Sequence, residues 1–301
     1  MNTVPTIVGA YAAMPRATAA REDFYRELGE TGWVDGIEIP YRDGLDDDPR
    51  WLADQLGDRF TQCVVTAIPG TMGRLAHDRD FGLASPEEEG RRRAMRWITG
   101  LVADVQALHE MVGHRVVRFV EIHSAPSNHA EPTALQASLA ELSSLFADAD
   151  LIGVIEHCDA AGGVGPGEKE FLSLDDEIAA VGGGGMHVTI NWGRSVVESH
   201  DPHVPARQAA RLADSGLLGG LMVSGAGPEA TQYGPAWGDA HLPLHDDEPT
   251  SLLTTDLVGS FMAAARGLQS YQGIKIQTPA DANVEQRLAM ITHIHDAMAS
   301  A

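Results

Sequence analysis

The feature that most constrains this chain is an alternation repeated eight times, a short run of β-branched and apolar residues followed by a longer stretch of helical period. Parallel strands need a crossover between them, and a helix is the usual crossover, so this order specifies an α/β fold with a parallel sheet. Strands are expected at residues 6–11, 35–40, 61–68, 115–123, 151–158, 186–192, 220–224 and 273–277. Helices are expected at 18–28, 49–56, 85–111, 133–146, 174–181, 205–213, 252–266 and 283–298. The clearest helix start is Ser85-Pro86-Glu87-Glu88, an N-cap serine, a proline at the first helical position and acids over the positive helix end. Eight strand and helix pairs without a linker predict one (β/α)8 barrel over residues 1–301. The long polar segment 225–250 is expected to be a lid loop.

Charge and cysteine usage exclude several classes. The formal net charge is −22, which repels phosphate backbones and anionic headgroups, so neither nucleic acid nor a membrane is an expected partner. The longest apolar runs are strand-sized, and no basic region precedes an apolar one at the N-terminus. Cys63 and Cys158 are the only cysteines, each in an apolar run, which suits buried thiols in a reducing compartment; a cytoplasmic location is the expectation. Only Lys169 and Lys275 are lysines among 21 basic residues, so a lysine inside an apolar strand is hard to dismiss. The run Gly182 to Gly185 lies between a helix and a strand, where it serves as a connection and lacks the spacing of a phosphate loop.

Active sites of such barrels lie at the C-terminal ends of the strands. There the first strand offers Tyr11, the second Glu38, and the fourth Glu121 and His123, which a period of two places on one face. The fifth strand ends in Glu156 and His157, the sixth in Asn191 with Arg194 just beyond, and the eighth carries Lys275 and Gln277. Charged groups in apolar strands cost several kcal/mol each unless they pair or share a polar pocket. Glu156 and Lys275 are read as functional. Glu38 is open between a site role and a structural tie, and His157, pointing to the other face, is read as a packing residue.

Three stretches resemble the xylose-isomerase-like TIM barrel superfamily of sugar isomerases and epimerases. They are Gly36-Ile37-Glu38-Ile39, then Phe81-Gly82-Leu83-Ala84-Ser85-Pro86 with the following Arg91-Arg92-Arg93, and residues 151–157 with their terminal Glu. The resemblance implies a sugar-like substrate. It also implies a divalent metal held by Glu, Asp, His and Glu from the fifth to eighth strands. Here Glu156 matches the first ligand, whereas Asn191 and Arg194, Ser224, and Lys275 or Gln277 fall where the others belong. An ammonium about 4 Å from a divalent ion opposes it by roughly 8 kcal/mol at an effective dielectric of about 20. The expectation is therefore that no metal is bound and that Lys275 pairs with Glu156 and takes the metal's place. A relocated cage of Glu121, His123 and Glu156 is the competing reading.

The chemistry expected is carbohydrate isomerisation or epimerisation by proton transfer next to a carbonyl. Glu156 would be the base, its pKa raised by an apolar wall, with Lys275 steadying the enediolate oxygen and His123 moving protons. Tyr11, Glu121, Asn191, Arg194, Trp237, His241 and Gln277 would bind substrate, Trp237 by stacking from the lid. Around Arg74, His77 and Asp80 a shorter loop faces the lid. The same parts would serve a sugar lyase acting by β-elimination, or a Schiff base on Lys275. A reading of another class is a non-catalytic sugar-binding protein or partner subunit. Barrels of this kind often pair, so a homodimer is the assembly to test.

Overall fold

The computed structural model describes residues 4–182 and 185–300. Along them run β1 (Thr6–Val8), α1 (Thr18–Glu30), β2 (Gly36–Pro40), α2 (Pro49–Leu56), β3 (Cys63–Thr66), α3 (Ile68–Leu75), α4 (Glu88–Val112), β4 (Val117–Ile122) and α5 (Pro132–Asp148). There follow β5 (Ile152–His157), α6 (Leu174–Val181), β6 (His187–Asn191), α7 (Trp192–Ser199), α8 (Val204–Ser215), β7 (Leu218–Val223), α9 (Thr255–Ala265), β8 (Tyr271–Ile274) and α10 (Val284–Ala299). The strands pair in chain order, all parallel, and β1 closes on β8. The single (β/α)8 barrel expected from the alternation is the fold.

Two separate cores follow from strand parity. Ile7, Val64, Phe119, Val154, Met222 and Tyr271 come from six strands yet form one cluster, which only the barrel interior allows. Large side chains fit there because their neighbours are glycines. A Cβ on Gly220 would stand 2.4 Å from the Tyr271 ring, and one on Gly273 would stand 2.3 Å from the Met222 sulfur. Two residues further along the strands the same inward parity delivers Thr66, Glu121, Glu156 and Ser224, all buried. Residues of the other parity pack against the helices in a large outer core.

Departures from the sequence reading cluster at the C-terminal mouth. After Val8 the first strand gives way to a short 3-10 turn, Ala10–Ala12, which carries Tyr11. The last strand stops at Ile274, so Lys275 and Gln277 lie just beyond it, although the Lys275 N–H still donates to the Val223 carbonyl at 2.9 Å. Helices α3 and α7 were not anticipated. The first carries Gly70 and Gly73, weak helix formers, and the second follows β6 without a connecting turn. Helix α4 begins at Glu88, and Ser85 Oγ instead accepts from the Glu87 N–H at 3.2 Å. In the glycine run, Gly183 and Gly184 lie outside the described residues. No helix among the described residues is long and apolar enough to cross a membrane.

Candidate functional site

The inward parity of the strands gathers a charged group around the barrel axis. Lys275 Nζ donates to Glu38 Oε1 at 2.7 Å and to Glu156 Oε1 at 3.4 Å. The Arg194 guanidinium reaches Glu156 Oε2 at 2.6 Å. His123 Nε2 lies 3.1 Å from that oxygen, the Thr66 hydroxyl donates to it at 3.4 Å, and the Asn191 amide donates to Glu156 Oε1 at 3.3 Å. Below this layer the Tyr271 hydroxyl donates to Glu121 Oε1 at 2.7 Å and lies 2.7 Å from the Thr189 hydroxyl. Ser224 completes the ring by donating to the Asn191 side-chain oxygen at 2.7 Å. All of these side chains are buried.

The expectation that Lys275 meets Glu156 holds as geometry, but the nearer carboxylate is Glu38. The Schiff-base reading needs a neutral amine. Burial favours that form, but Glu156 and Glu38 outweigh it and hold the Lys275 ammonium well above the ordinary lysine range. Glu156 departs from the raised carboxyl that was expected. Burial alone would raise it, yet Arg194 and then Lys275 overcome this and hold it well below the usual range. The raised carboxyl is Glu121, lifted by burial first and then by the charges of Glu156 and Glu38. Its Oε2 has no hydrogen-bond partner. Burial lowers His123 to about 4, leaving a neutral ring whose Nδ1 has no partner. That ring borders a small cavity of about 10 Å³ lined also by Thr71, Phe81 and Trp97.

Among the described residues, the side chains whose oxygens converge as a metal-binding set are Glu38, Glu121 and Glu156, within 4.8 Å of one another. His123 is not in that set, which departs from the relocated cage. The donors do not suit a divalent ion. The Lys275 ammonium already bridges Glu38 and Glu156, and Arg194 takes the other oxygen of Glu156.

Remaining site candidates are dispersed by the loop after β7. Trp237 stacks on His200, with centroids 3.8 Å apart and planes 8° from parallel, so in this conformation its ring is engaged with protein rather than aimed at a ligand. The Gln277 amide donates to the Tyr233 and Ala240 carbonyls at 3.0 and 2.7 Å, fastening the loop. His241 lies 3.1 Å from Asp239, and Asp239 accepts from Arg194 and Lys169. Tyr11 is partly exposed. Its ring centre lies 5.8 Å from Lys275 Nζ on one side, and on the other it lines an open cleft of about 610 Å³ with Ile39, Pro40, Arg42 and Leu45. His157 keeps to the outer face, as its parity required, between Glu177 at 2.7 Å and Glu198 at 3.2 Å. Sequence reasoning left Glu38 undecided, although its parity matches the other inward groups. It gave no site role to Asp239 or Lys169, which sit in loops where no periodicity shows direction.

Comparison with known proteins bears on the fold and the family. Solved structures of similar fold include an L-ribulose 3-epimerase, 13% identical with a TM-score of 0.60 over 99% of this chain and 95% of that one. A D-tagatose 3-epimerase-like protein is 12% identical, with a TM-score of 0.62 over 99% of both chains. A xylose isomerase domain containing protein from Salmonella typhimurium is 15% identical, also with a TM-score of 0.62 over 99% of both. At such identities they establish the fold, a xylose-isomerase-like barrel. An uncharacterized protein of Salmonella typhimurium, STM3670, is 32% identical over 302 residues, covering 96% of this chain and 95% of its own. Residues 7–290 match the family described as "Domain of unknown function (DUF4862)", and the chain belongs to that family.

Proposed function

We propose that the chain is an enzyme of the sugar isomerase or epimerase type, moving a proton next to the carbonyl of a small sugar-like substrate without a bound metal. The observation that carries this reading is Lys275 Nζ set 2.7 Å from Glu38 and 3.4 Å from Glu156, inside the set of carboxylates that could otherwise cage a cation. A fixed, dry ammonium supplies the positive charge that an enediolate oxygen needs. The neighbours are named for a 3-epimerase, a 3-epimerase-like protein and a xylose isomerase domain. Substrate enters by the cleft beside Tyr11, whose ring separates it from Lys275. Proton transfer falls to Glu121, whose carboxyl is raised and whose Oε2 is unpartnered, while Glu156 positions Arg194, Asn191 and His123. The same groups could carry a β-elimination, which an unsaturated product would reveal.

The test is solvent exchange. The purified protein, treated with a chelator, is incubated in D2O with a panel of ketoses and keto-acids and followed by proton NMR. Deuterium should enter at the carbon beside the carbonyl for wild type and not for Lys275→Met. One observation favours a second reading, a sugar-binding protein without turnover: Glu38, Glu121, Glu156 and Lys275 are all closed off from solvent. Ligand-induced stabilisation with no exchange into any sugar would decide for that reading.

A further inference from the structure

The loop between β7 and α9 carries one acid into the barrel mouth. Asp239 is 5% exposed, and its Oδ2 accepts from Lys169 Nζ at 2.9 Å and from Arg194 Nε at 3.0 Å. His241 Nδ1 stands 3.1 Å from Oδ1, yet neither atom finds a hydrogen bond of good alignment. The Asp239 N–H donates to Glu168 Oε1 at 2.8 Å, and Glu168 Oε2 accepts from Lys169 Nζ at 2.8 Å. Two residues to either side, Trp237 and His241 hold φ of 55° and 46°, a left-handed conformation that side chains with a Cβ adopt at a cost. Strain brackets the acid that reaches Arg194 and Lys169.

Lys169, with Lys275 one of the only two lysines in the chain, belongs to this mouth. Arg194 joins the two halves, since Nη1 meets Glu156 while Nε meets Asp239. On a protein with net charge −22, an anionic ligand finds few dry cationic pairs, and this one is occupied by a carboxylate on a loop. We propose that Arg194, Lys169 and His241 form a receptor for a carboxylate on the substrate, and that Asp239 fills it as an internal stand-in while the loop is closed. The word substrate rests on the proton-transfer reading above; the receptor does not. The ligand class is a sugar acid, bound by its carboxylate on the Asp239 side of Arg194, with its remaining carbons toward Glu156 and Lys275. Exchange of one carboxylate for another keeps the cations paired, which makes the step accessible despite burial.

Binding measurements test this directly. D-glucuronate, D-glucose and D-glucose 6-phosphate are titrated calorimetrically into wild type, Asp239→Asn, Lys169→Met and the double variant, each checked for native circular dichroism. Removing the internal competitor should make Asp239→Asn bind glucuronate at least ten-fold tighter than wild type does, with glucose unchanged and the double variant losing the gain. Lys169→Met alone should weaken glucuronate and leave glucose as it was, which keeps the test valid even if Asp239→Asn folds poorly. An equal gain for glucose and glucuronate, or tighter binding of the phosphate than the carboxylate, overturns the proposal. Deuterium exchange into neutral ketoses without any glucuronate preference would sink the receptor and spare the enzyme reading. Glucuronate gain in Asp239→Asn with no exchange into any sugar would do the reverse.

Discussion

Lys275 and Glu38 meet across Gly9: the ammonium comes from just past β8, the carboxylate from β2, and the strand between them, β1, ends beneath their contact at 2.7 Å. A Cβ at Gly9 would stand 2.8 Å from Lys275 Cγ and 2.9 Å from Glu38 Oε2. Gly9→Ala should therefore push the pair apart and destabilise the protein by about 1–3 kcal/mol, the usual range for overpacking. Gly259 in α9 has nothing within 4 Å of its would-be Cβ, so Gly259→Ala should be neutral or stabilise by about 0.5–1 kcal/mol. Urea denaturation of the two variants checks both signs, and equal effects would refute the steric account.

Removing the ammonium itself has a larger effect. In Lys275→Met, Glu38 loses its 2.7 Å partner, Glu156 keeps Arg194 as its one cationic partner beside the Thr66, Asn191 and His123 contacts, and both carboxylates remain buried. Breaking a buried pair by deleting one partner costs about 3–5 kcal/mol. Adding Glu38→Gln should recover part of that loss, because the stranded charge goes with it. A double-mutant cycle in urea reads the coupling directly, and strict additivity would mean that the pair is not energetically joined.

The barrel was legible because it is written in local periods. Alternating β-branched runs and helical stretches specify their own conformations, and parity alone placed Glu121 and Glu156 inside and His157 outside. The pairing of the charges was not legible in the same way. Parity shows that Glu38, Glu156 and Lys275 share an interior, but the ranking of 2.7 Å over 3.4 Å depends on barrel stagger and side-chain reach. The direction of the Glu156 pKa depended on Arg194, which turns inward only because α7 begins directly after Asn191 and curls the chain over the mouth. Asp239 was hidden for a related reason: it acts across 45 residues of sequence on Arg194 and 70 on Lys169, from a loop without a repeating pattern.

If the Lys275 ammonium occupies the place of an ion, as proposed, reversing its charge should create a metal site. Wild type should show no change in melting temperature with millimolar Mn²⁺ or Mg²⁺, because Lys275 and Arg194 already neutralise the carboxylates that could converge on an ion. Lys275→Glu replaces the ammonium with a further oxygen donor beside Glu38 and Glu156. That variant should be destabilised alone and recover with the ion, by about 2.7 kcal/mol once the ion reaches a hundred times its Kd. Metal stabilisation of wild type equal to that of the variant would contradict the account.

His157 offers a test at alkaline pH. Burial would favour its neutral form, but Glu177 at 2.7 Å and Glu198 at 3.2 Å overcome this and raise the ring from 6.5 to about 10. A group whose folded pKa lies above its unfolded value contributes stability that is complete below pH 6.5 and is lost as pH rises through 10. The effect is on the order of a few kcal/mol, because the ring and Glu177 are fully buried and the Ser124 hydroxyl also donates to Glu177 at 2.5 Å. His123 does not confuse this window. Its folded value is lowered to about 4, so its contribution is complete above pH 6.5 and is lost only as pH falls toward that value. Unfolding free energies of wild type should therefore decline between pH 6.5 and 10, while His157→Gln should start less stable and show a flatter profile. Parallel slopes in the two proteins would mean that the imidazole between α6 and α7 is not the group that titrates.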